Sequence, residues 1–444
     1  MTAETVDGVG GGRPAGAASR PPRPDVEVVV IGAGAAGIAA ARRLLALGRS
    51  VRVLEAGARL GGRAWTESEV LGAPFDHGAS WIHVAERNPL TPLARSLGVT
   101  LRDERRRVRD ILLAGDRPAT PAERAAHDAA CEAWEAAAET RDASGGPDIP
   151  LAEAVPRGGP WDATVSHWYS AIISGVEAER FSLHDYVRTG LDGENLQVAE
   201  GFGTLVARLG EGLPVTPGAP VARLRWDGAG MAAEGEWGAL RAGAAIVTVS
   251  TGVLATGGLR FLPELPDAVQ AAIAGLPQGL LSKIALRASG AGRLGLGPFA
   301  RLGRQVAGPG DHPISWMLWP WDRDHAVGFI GGEAAWTLAR EGPAAAEAFA
   351  RAELARYVGP VEVARSFAPG AVVTRWAEDP LFLGAYSHAR VGCHGARAAL
   401  RDAALAGGRL RFAGEACHTR YAGTVGGAWS SGERAAEAVH AALG

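Results

Sequence analysis

The chain has 444 residues, 47% hydrophobic and 21% charged, enough apolar side chain for a large core divided over two or three domains. Its 45 basic and 48 acidic residues leave a formal charge of -3, which excludes a global basic field for nucleic acid and an acidic tail for a basic partner. The cysteines Cys131, Cys393 and Cys417 lie far apart without a C-x-x-C pair, so neither a disulfide framework nor a zinc site is indicated, and a cytoplasmic location is expected.

Residues 1–24 are rich in Gly, Ala, Pro and Arg with no apolar run, which predicts a disordered tail. No segment offers ~20 uninterrupted apolar residues, so no membrane anchor is expected. Val26 to Ile31 form a short apolar run, followed by a glycine-rich turn, an Ala/Leu-rich helical stretch to Gly48 and a second strand from Ser50 to Glu55, the pattern of a βαβ unit. Asp103 to about Thr140 has helical spacing and is expected to be a helical insertion, broken near Gly145 to Pro150 and Arg157 to Pro160. Strand-like runs return at Val221 to Trp226 and Ala244 to Ser250, and Leu410 to Ala413 resembles a final strand before a last helix. The order predicts an α/β fold. A Rossmann-like nucleotide-binding domain is assembled from the discontinuous segments 25–98, 200–262 and 384–444, and an α+β substrate-binding domain from 99–199 and 263–383.

In Gly32-x-Gly34-x-x-Gly37 the first glycine permits the tight turn, the second lets backbone approach a pyrophosphate, and the third allows close packing of helix on strand. The helix start, with Ala36 in its first turn, faces the phosphates with its positive end. Glu55, followed by Ala56, stands at the tip of the second strand, where a carboxylate can bond ribose hydroxyls. A compositional oddity lies elsewhere. Lys283 is the only lysine in the chain, set in the apolar run Gly-Leu-Leu-Ser-Lys-Ile-Ala-Leu, and a buried lysine can become neutral where arginine cannot.

Leu60-Gly61-Gly62-Arg63, Phe412-Ala413-Gly414-Glu415 and the run Tyr421-Ala422-Gly423-Thr424-Val425-Gly426-Gly427-Ala428-Trp429 resemble motifs at the two ends of the flavin-containing amine oxidase family, of monoamine and polyamine oxidase type. The resemblance runs in order from Asp25 to Gly444 and includes Glu200-Gly201-Phe202-Gly203. It departs at Ser250, where a proline is usual, and at Gly426, where many members have histidine. It implies FAD, with Gly62 and Arg63 facing the diphosphate, Glu415 bonding the ribityl or diphosphate region, Val221 at adenine, and Gly423, Thr424 and Val425 near the flavin ring. It implies noncovalent binding, because Ala385 stands where monoamine oxidases have the cysteine that bonds the flavin. Gly78, Ala79, Ser80 and Trp81 join the cofactor contacts.

The resemblance also implies the reaction: hydride leaves the carbon beside an amine nitrogen for flavin N5, O2 reoxidises the flavin to give H2O2, and the imine hydrolyses to an aldehyde or ketone. Lys283 falls where the family holds a water against N5, and Trp376 and Tyr386 match the aromatic residues that flank the amine. Ser80-Trp81 stands where amino-acid oxidases carry Met-Arg, and the segment through Asn88-Pro89-Leu90 is closer to polyamine oxidases, in which a histidine at the position of His83 lines the tunnel. The implied partners are a small-molecule amine, polyamine or other, and O2, with no nucleic acid and no membrane. Glu177 and Glu179 lie in the region of polyamine-binding carboxylates, although a solvated helix face explains them better. The Cys393-His394 and Cys417-His418 pairs lack a second pair at metal-ligand spacing, so no metal is expected. A flavin desaturase or dehydrogenase and a catalytically silent FAD-binding module remain alternatives. A histone demethylase role is not expected, since no spare segment would house the extra binding domains of such enzymes.

Overall fold

The computed structural model describes residues 24–103, 111–228, 230–290 and 292–444; residues 1–23, most of the expected tail, lie outside them. The strand Val26–Ile31 sits inside an eight-stranded sheet, between parallel neighbours Val51–Leu54 and Gly238–Val247. Its residues Val28, Val29 and Val30 are fully buried, because both faces of this part of the sheet are covered, the Val28 and Val30 face by the first and last helices and the Val29 face by a cluster that includes Leu224, Met231 and Ala233, so that period-2 alternation gives way to a continuous apolar run. The helix Ala35–Ala46 makes the crossover and packs along the last helix, Val425–Leu443. Small residues are obligatory at that contact: a Cβ on Gly432 would lie 2.1 Å from the Ala36 carbonyl oxygen. Leu410–Phe412 adds beside Gly238–Val247 and returns the C-terminal segment to the same sheet.

A second sheet of seven strands draws on Ile111–Ala114, Arg117–Pro118 and the strands between Leu281 and Val373. In it Lys283 pairs with Phe329 and Phe329 with Ser315, and side chains in register across neighbouring strands share a face. The α/β class with a Rossmann-like unit and a second mixed domain is thus the one observed. Among the described residues no helix is long and apolar enough to cross a membrane.

The helical insertion expected from Asp103 is shorter than its composition suggests. Leu101–Asp103, Ile111–Ala114 and Arg117–Pro118 are strands, and the helix begins only at Pro121, where Thr120 and Glu123 form a reciprocal capping box. Ile111–Ala114 is held extended by parallel pairing with Ala300–Arg304, a long-range partner that local spacing does not reveal. A buried ion pair joins two distant segments: Arg397 Nε donates to Asp185 Oδ1 at 2.6 Å, with both side chains 2% exposed.

Candidate active site

One cavity of about 2250 Å³ runs from the Gly32 turn to the second sheet. The residues assigned above to cofactor or substrate line it, except Gly37 and the two carboxylates Glu177 and Glu179. Gly37 acts in packing instead, since a Cβ there would stand 1.9 Å from the Gly32 carbonyl oxygen.

The phosphate end of the cavity is built from backbone. Gly32 has φ +103°, a conformation that L side chains rarely adopt. Gly34 caps the helix Ala35–Ala46 with no side-chain hydrogen bond and no acidic residue in the first turn, so the amides at this end are open to an anion. Gly62 approaches so closely that its Cβ would lie 3.2 Å from Gly34 Cα. Glu55 accepts from the Ala33 and Gly57 amides at 2.6 and 2.7 Å, which fixes its carboxylate at the cavity wall and leaves lone pairs for hydroxyls. Val221 and Ala56 line the same end. These residues fit a dinucleotide.

In the middle of the cavity the arrangement is tighter than the motifs suggested. Arg63 donates to the Ala385 carbonyl at 2.8 Å, to Gln278 Oε1 at 2.9 Å and to Glu415 Oε1 at 3.2 Å. Glu415 also accepts from the Ser387 amide and hydroxyl and from the Gly423 amide. Burial alone would raise its pKa, but Arg63, Arg397 and these donors hold it below the ordinary carboxylate range. Arg63 and Glu415 therefore form a protein-internal clamp on the cavity wall. Thr424 caps the last helix through the Gly427 amide at 2.9 Å, placing Val425 at its start.

At the far end Lys283 is 4% exposed, and its Nζ donates to the carbonyls of Asp76 and Gly78 and to Ser80 Oγ, each at 2.6 Å. Burial lowers its pKa to about 8 against the opposing pull of Asp76. Trp376 is buried edge-on to Phe382 at 5.1 Å. Tyr386 is half-buried and donates from its hydroxyl to the Ile173 carbonyl at 2.9 Å; burial and then Glu415 push its phenol upward. Gly78 is forced by its neighbours: a Cβ would lie 1.7 Å from the Arg63 carbonyl oxygen and 3.1 Å from the Trp376 ring. Ala79 donates its amide to the same Arg63 carbonyl, and Trp81 lies 6.0 Å beneath Lys283 Nζ. His83 pairs through Nδ1 with Asn195 Oδ1 at 2.9 Å, and burial lowers its pKa.

Glu177 and Glu179 are not brought to this cavity. Glu177 accepts from the Glu333 amide at 2.6 Å, at the start of the helix Gly332–Glu341, and Glu179 is exposed. Two residues near Lys283 had no assigned role. Asp76 accepts from the Phe202 and Gly203 amides at the start of the helix Phe202–Leu209, which ties Gly201-Phe202-Gly203 to the loop beside Lys283. His77 stacks on Trp65 at 4.0 Å and is held neutral, its pKa lowered to about 4 by burial and by Lys283 and Arg59. The departures also have local reasons: Ser250 caps the helix Thr251–Ala255, and Asn88 fills the space beside Gly426, where a Cβ would lie 2.5 Å from Asn88 Nδ2.

The sequence pattern of the flavin containing amine oxidoreductases matches residues 35–440. The chain belongs to that family. Lysine-specific histone demethylase 1 homolog 2 of Arabidopsis thaliana is 30% identical over 451 residues, covering 93% of this chain and 58% of its own length. Polyamine oxidase 5 of Oryza sativa subsp. japonica is 29% identical, covering 92% of this chain and 87% of its own length. The chain spans between 51% and 58% of the demethylase homologues and the FLOWERING LOCUS D protein that it matches. Cyclohexylamine oxidase from Brevibacterium oxydans IH-35A superposes with a TM-score of 0.76 at 24% identity, covering 95% of this chain and all of its own. Putrescine oxidase bound to putrescine gives 0.72 at 20% identity, covering 94% and 99%. At these identities the superpositions show the shared fold. The family's cofactor is FAD, and the relatives include a polyamine oxidase as well as demethylase homologues.

Proposed function

We propose that this member of the flavin amine oxidoreductase family is an amine oxidase, with a polyamine or another primary or secondary amine as substrate and O2 as acceptor. The observation that carries the reading is a buried lysine, Lys283, held at the aromatic end of a cavity whose other end is a glycine-walled dinucleotide cradle. When bound, FAD supplies the acceptor for the hydride that leaves the carbon beside the amine nitrogen. The chain's own residues orient the amine, exclude water and take its proton.

Phe329, Leu281, Ile172, Tyr386 and Trp376 line the reacting end with apolar and aromatic surface, which excludes water and attracts an arriving ammonium to ring faces. A free alkylamine arrives protonated, with a pKa near ~10.4, and must lose that proton before its lone pair can form the imine. Above about pH 8 Lys283 loses a proton, one of the three hydrogen bonds that Nζ donates is given up, and the lone pair so exposed offers a base in the cavity at moderately alkaline pH. Support for a polyamine comes from the helix Pro121–Ala143: Asp128, Glu132, Glu135 and Glu139, at i, i+4, i+7 and i+11, all line the cavity and suit a second cationic centre.

Similarity over 93% of the chain to a lysine-specific histone demethylase homologue favours a second reading, N-demethylation of a methylated lysine peptide. Oxygen uptake should be measured for the purified yellow protein with polyamines, monoamines, cyclic amines, amino acids and an N-methyl-lysine peptide. Uptake with one of the free amines bears out the reading. Uptake with the peptide alone replaces it with the second, and reduction of a dye without oxygen uptake makes the protein a dehydrogenase.

A further inference from the structure

Outside the cavity, three segments converge on a cluster of ligating side chains: Asp148 after the helix Pro121–Ala143, His184 in the helix Leu183–Arg188, and His394 before the helix Ala396–Asp402. One oxygen or nitrogen from each lies within 4.8 Å of the others. We propose that Asp148, His184 and His394 form a binding site for a divalent transition metal of the zinc class that fastens the helical segment to the loop before Ala396.

The hydrogen-bond pattern prepares this site. Asp142 bonds His184 at Nδ1, and an imidazole that donates Nδ1–H to a carboxylate presents Nε2 as a lone pair. That Nε2 lies 3.4 Å from the Gly146 carbonyl oxygen, a long contact that a metal ion can replace. His394 Nδ1 is buried without a hydrogen-bond partner and stands 3.6 Å from Asp148 Oδ2. A metal ion would give His394 Nδ1 a partner and use a carboxylate that already stands beside it. Asp148, with a side chain 3% exposed, is held by Ser182 Oγ and the Gly392 amide, each 2.7 Å from Oδ2, and by the His184 amide. A carboxylate fixed by donors and a histidine oriented by a carboxylate are the outer contacts that metal ligands need.

The ligand set chooses the metal class. Two imidazoles and one carboxylate suit zinc, with the fourth tetrahedral position open to solvent, and suit magnesium or calcium poorly. Bond lengths of about 2.0–2.2 Å put tetrahedral ligand atoms about 3.3 Å apart. The His394–Asp148 edge is already near that value, no edge exceeds 4.8 Å, and His394, whose side chain is 32% exposed, has room to adjust. Cys393 is not a ligand, since its Sγ lies where a Cβ on Gly275 would meet it at 3.2 Å. None of the three ligands lines the catalytic cavity, but the site adjoins Asp185, whose pair with Arg397 reaches Ser387 and Glu415. The metal therefore secures the junction of these segments and takes no part in oxidation.

The test uses the flavin-loaded protein, stripped with a chelator, dialysed and titrated with Zn2+ against a chromophoric competitor. We expect one equivalent per chain and a Tm rise of about 2–5 °C at saturating zinc. Asp142→Asn should weaken binding by about 10–100-fold. His394→Ala, on the half-exposed loop, should abolish the stoichiometric site while flavin absorbance and circular dichroism stay unchanged, and Cys393→Ser should bind as the unaltered protein does. Equal zinc binding by His394→Ala overturns the proposal, as does absence of binding by the unaltered protein, which would leave Asp148 and His394 a plain ion pair.

Discussion

Lys283 Nζ lies 2.6 Å from the carbonyl oxygen of Gly78. This bond joins the second sheet to the loop that carries Gly78, Ala79 and Ser80 along the cavity wall, and Gly78 in turn touches Trp376 where any larger residue would not fit. A single buried amine thus positions the wall and presents a nitrogen to the cavity.

Activity should rise with pH through Lys283. The folded pKa of about 8 lies below the ordinary 10.5, so the lysine loses its proton near pH 8, and kcat/KM for an amine should climb through that region. The same shift makes stability rise with pH. Between about 8 and 10.5 the unfolded chain binds more protons than the folded one, and a burial cost of about 3 kcal/mol, fully present below pH 8, is removed by 10.5. A flat kcat/KM profile from pH 7 to 9 would contradict the assignment.

Gly78→Ala should abolish flavin retention. Its Cβ would overlap the Arg63 carbonyl oxygen at 1.7 Å, and relief requires moving either Arg63, which bonds Glu415, or Trp376. The absorbance ratio of flavin to protein after gel filtration measures this, and a yellow variant with normal stoichiometry would show that the loop yields more easily than packed backbone should.

Acid should destabilise the fold well before the carboxylates titrate. His77, His325 and His388 are buried, and burial lowers each to about 4 from 6.5. As pH falls from 6.5 to 4 the unfolded chain takes up protons that the folded chain refuses, so stability declines by as much as about 1.4 kcal/mol per pH unit for each histidine. Urea midpoints between pH 7 and 5 should drop steeply, and equal midpoints would count against neutral buried histidines.

FAD should be bound without a covalent link. Ala385 offers no sulfur at the position discussed above, and its amide and carbonyl are engaged with Gly279 and Arg63. Acid precipitation should leave the yellow colour in the supernatant, and colour retained in the pellet would contradict it.

What could be read from the chain alone was local. The glycines of the first turn and the Gly423-Thr424-Val425 run carry their reasons within a few residues, so the cradle and the start of the last helix were legible. Lys283 was legible for a different reason, as a lone lysine in an apolar strand. Relationships between distant segments were not. Asp76 capping Phe202–Leu209, His77 stacked on Trp65, Asn88 filling the space at Gly426 and Arg397 paired with Asp185 have no spacing signature, because the sheets bring them together only after folding. Ile111–Ala114 lies in a stretch whose composition predicts helix, and its pairing with Ala300–Arg304 prevails over that preference. Glu177 was recognisable as an acid, but not as the cap of Gly332–Glu341.

Anaerobic stopped-flow reduction of the bound flavin by a good amine substrate, compared between the unaltered protein and Lys283→Met, tests the central claim most directly. Methionine keeps the bulk and removes the nitrogen, so FAD should stay bound while reduction slows by roughly 10²-fold or more, with no rescue by Lys283→Arg, whose guanidinium stays charged. Reduction of the methionine variant at the rate of the unaltered protein would contradict the account and leave the only lysine of this chain a structural tie to Gly78.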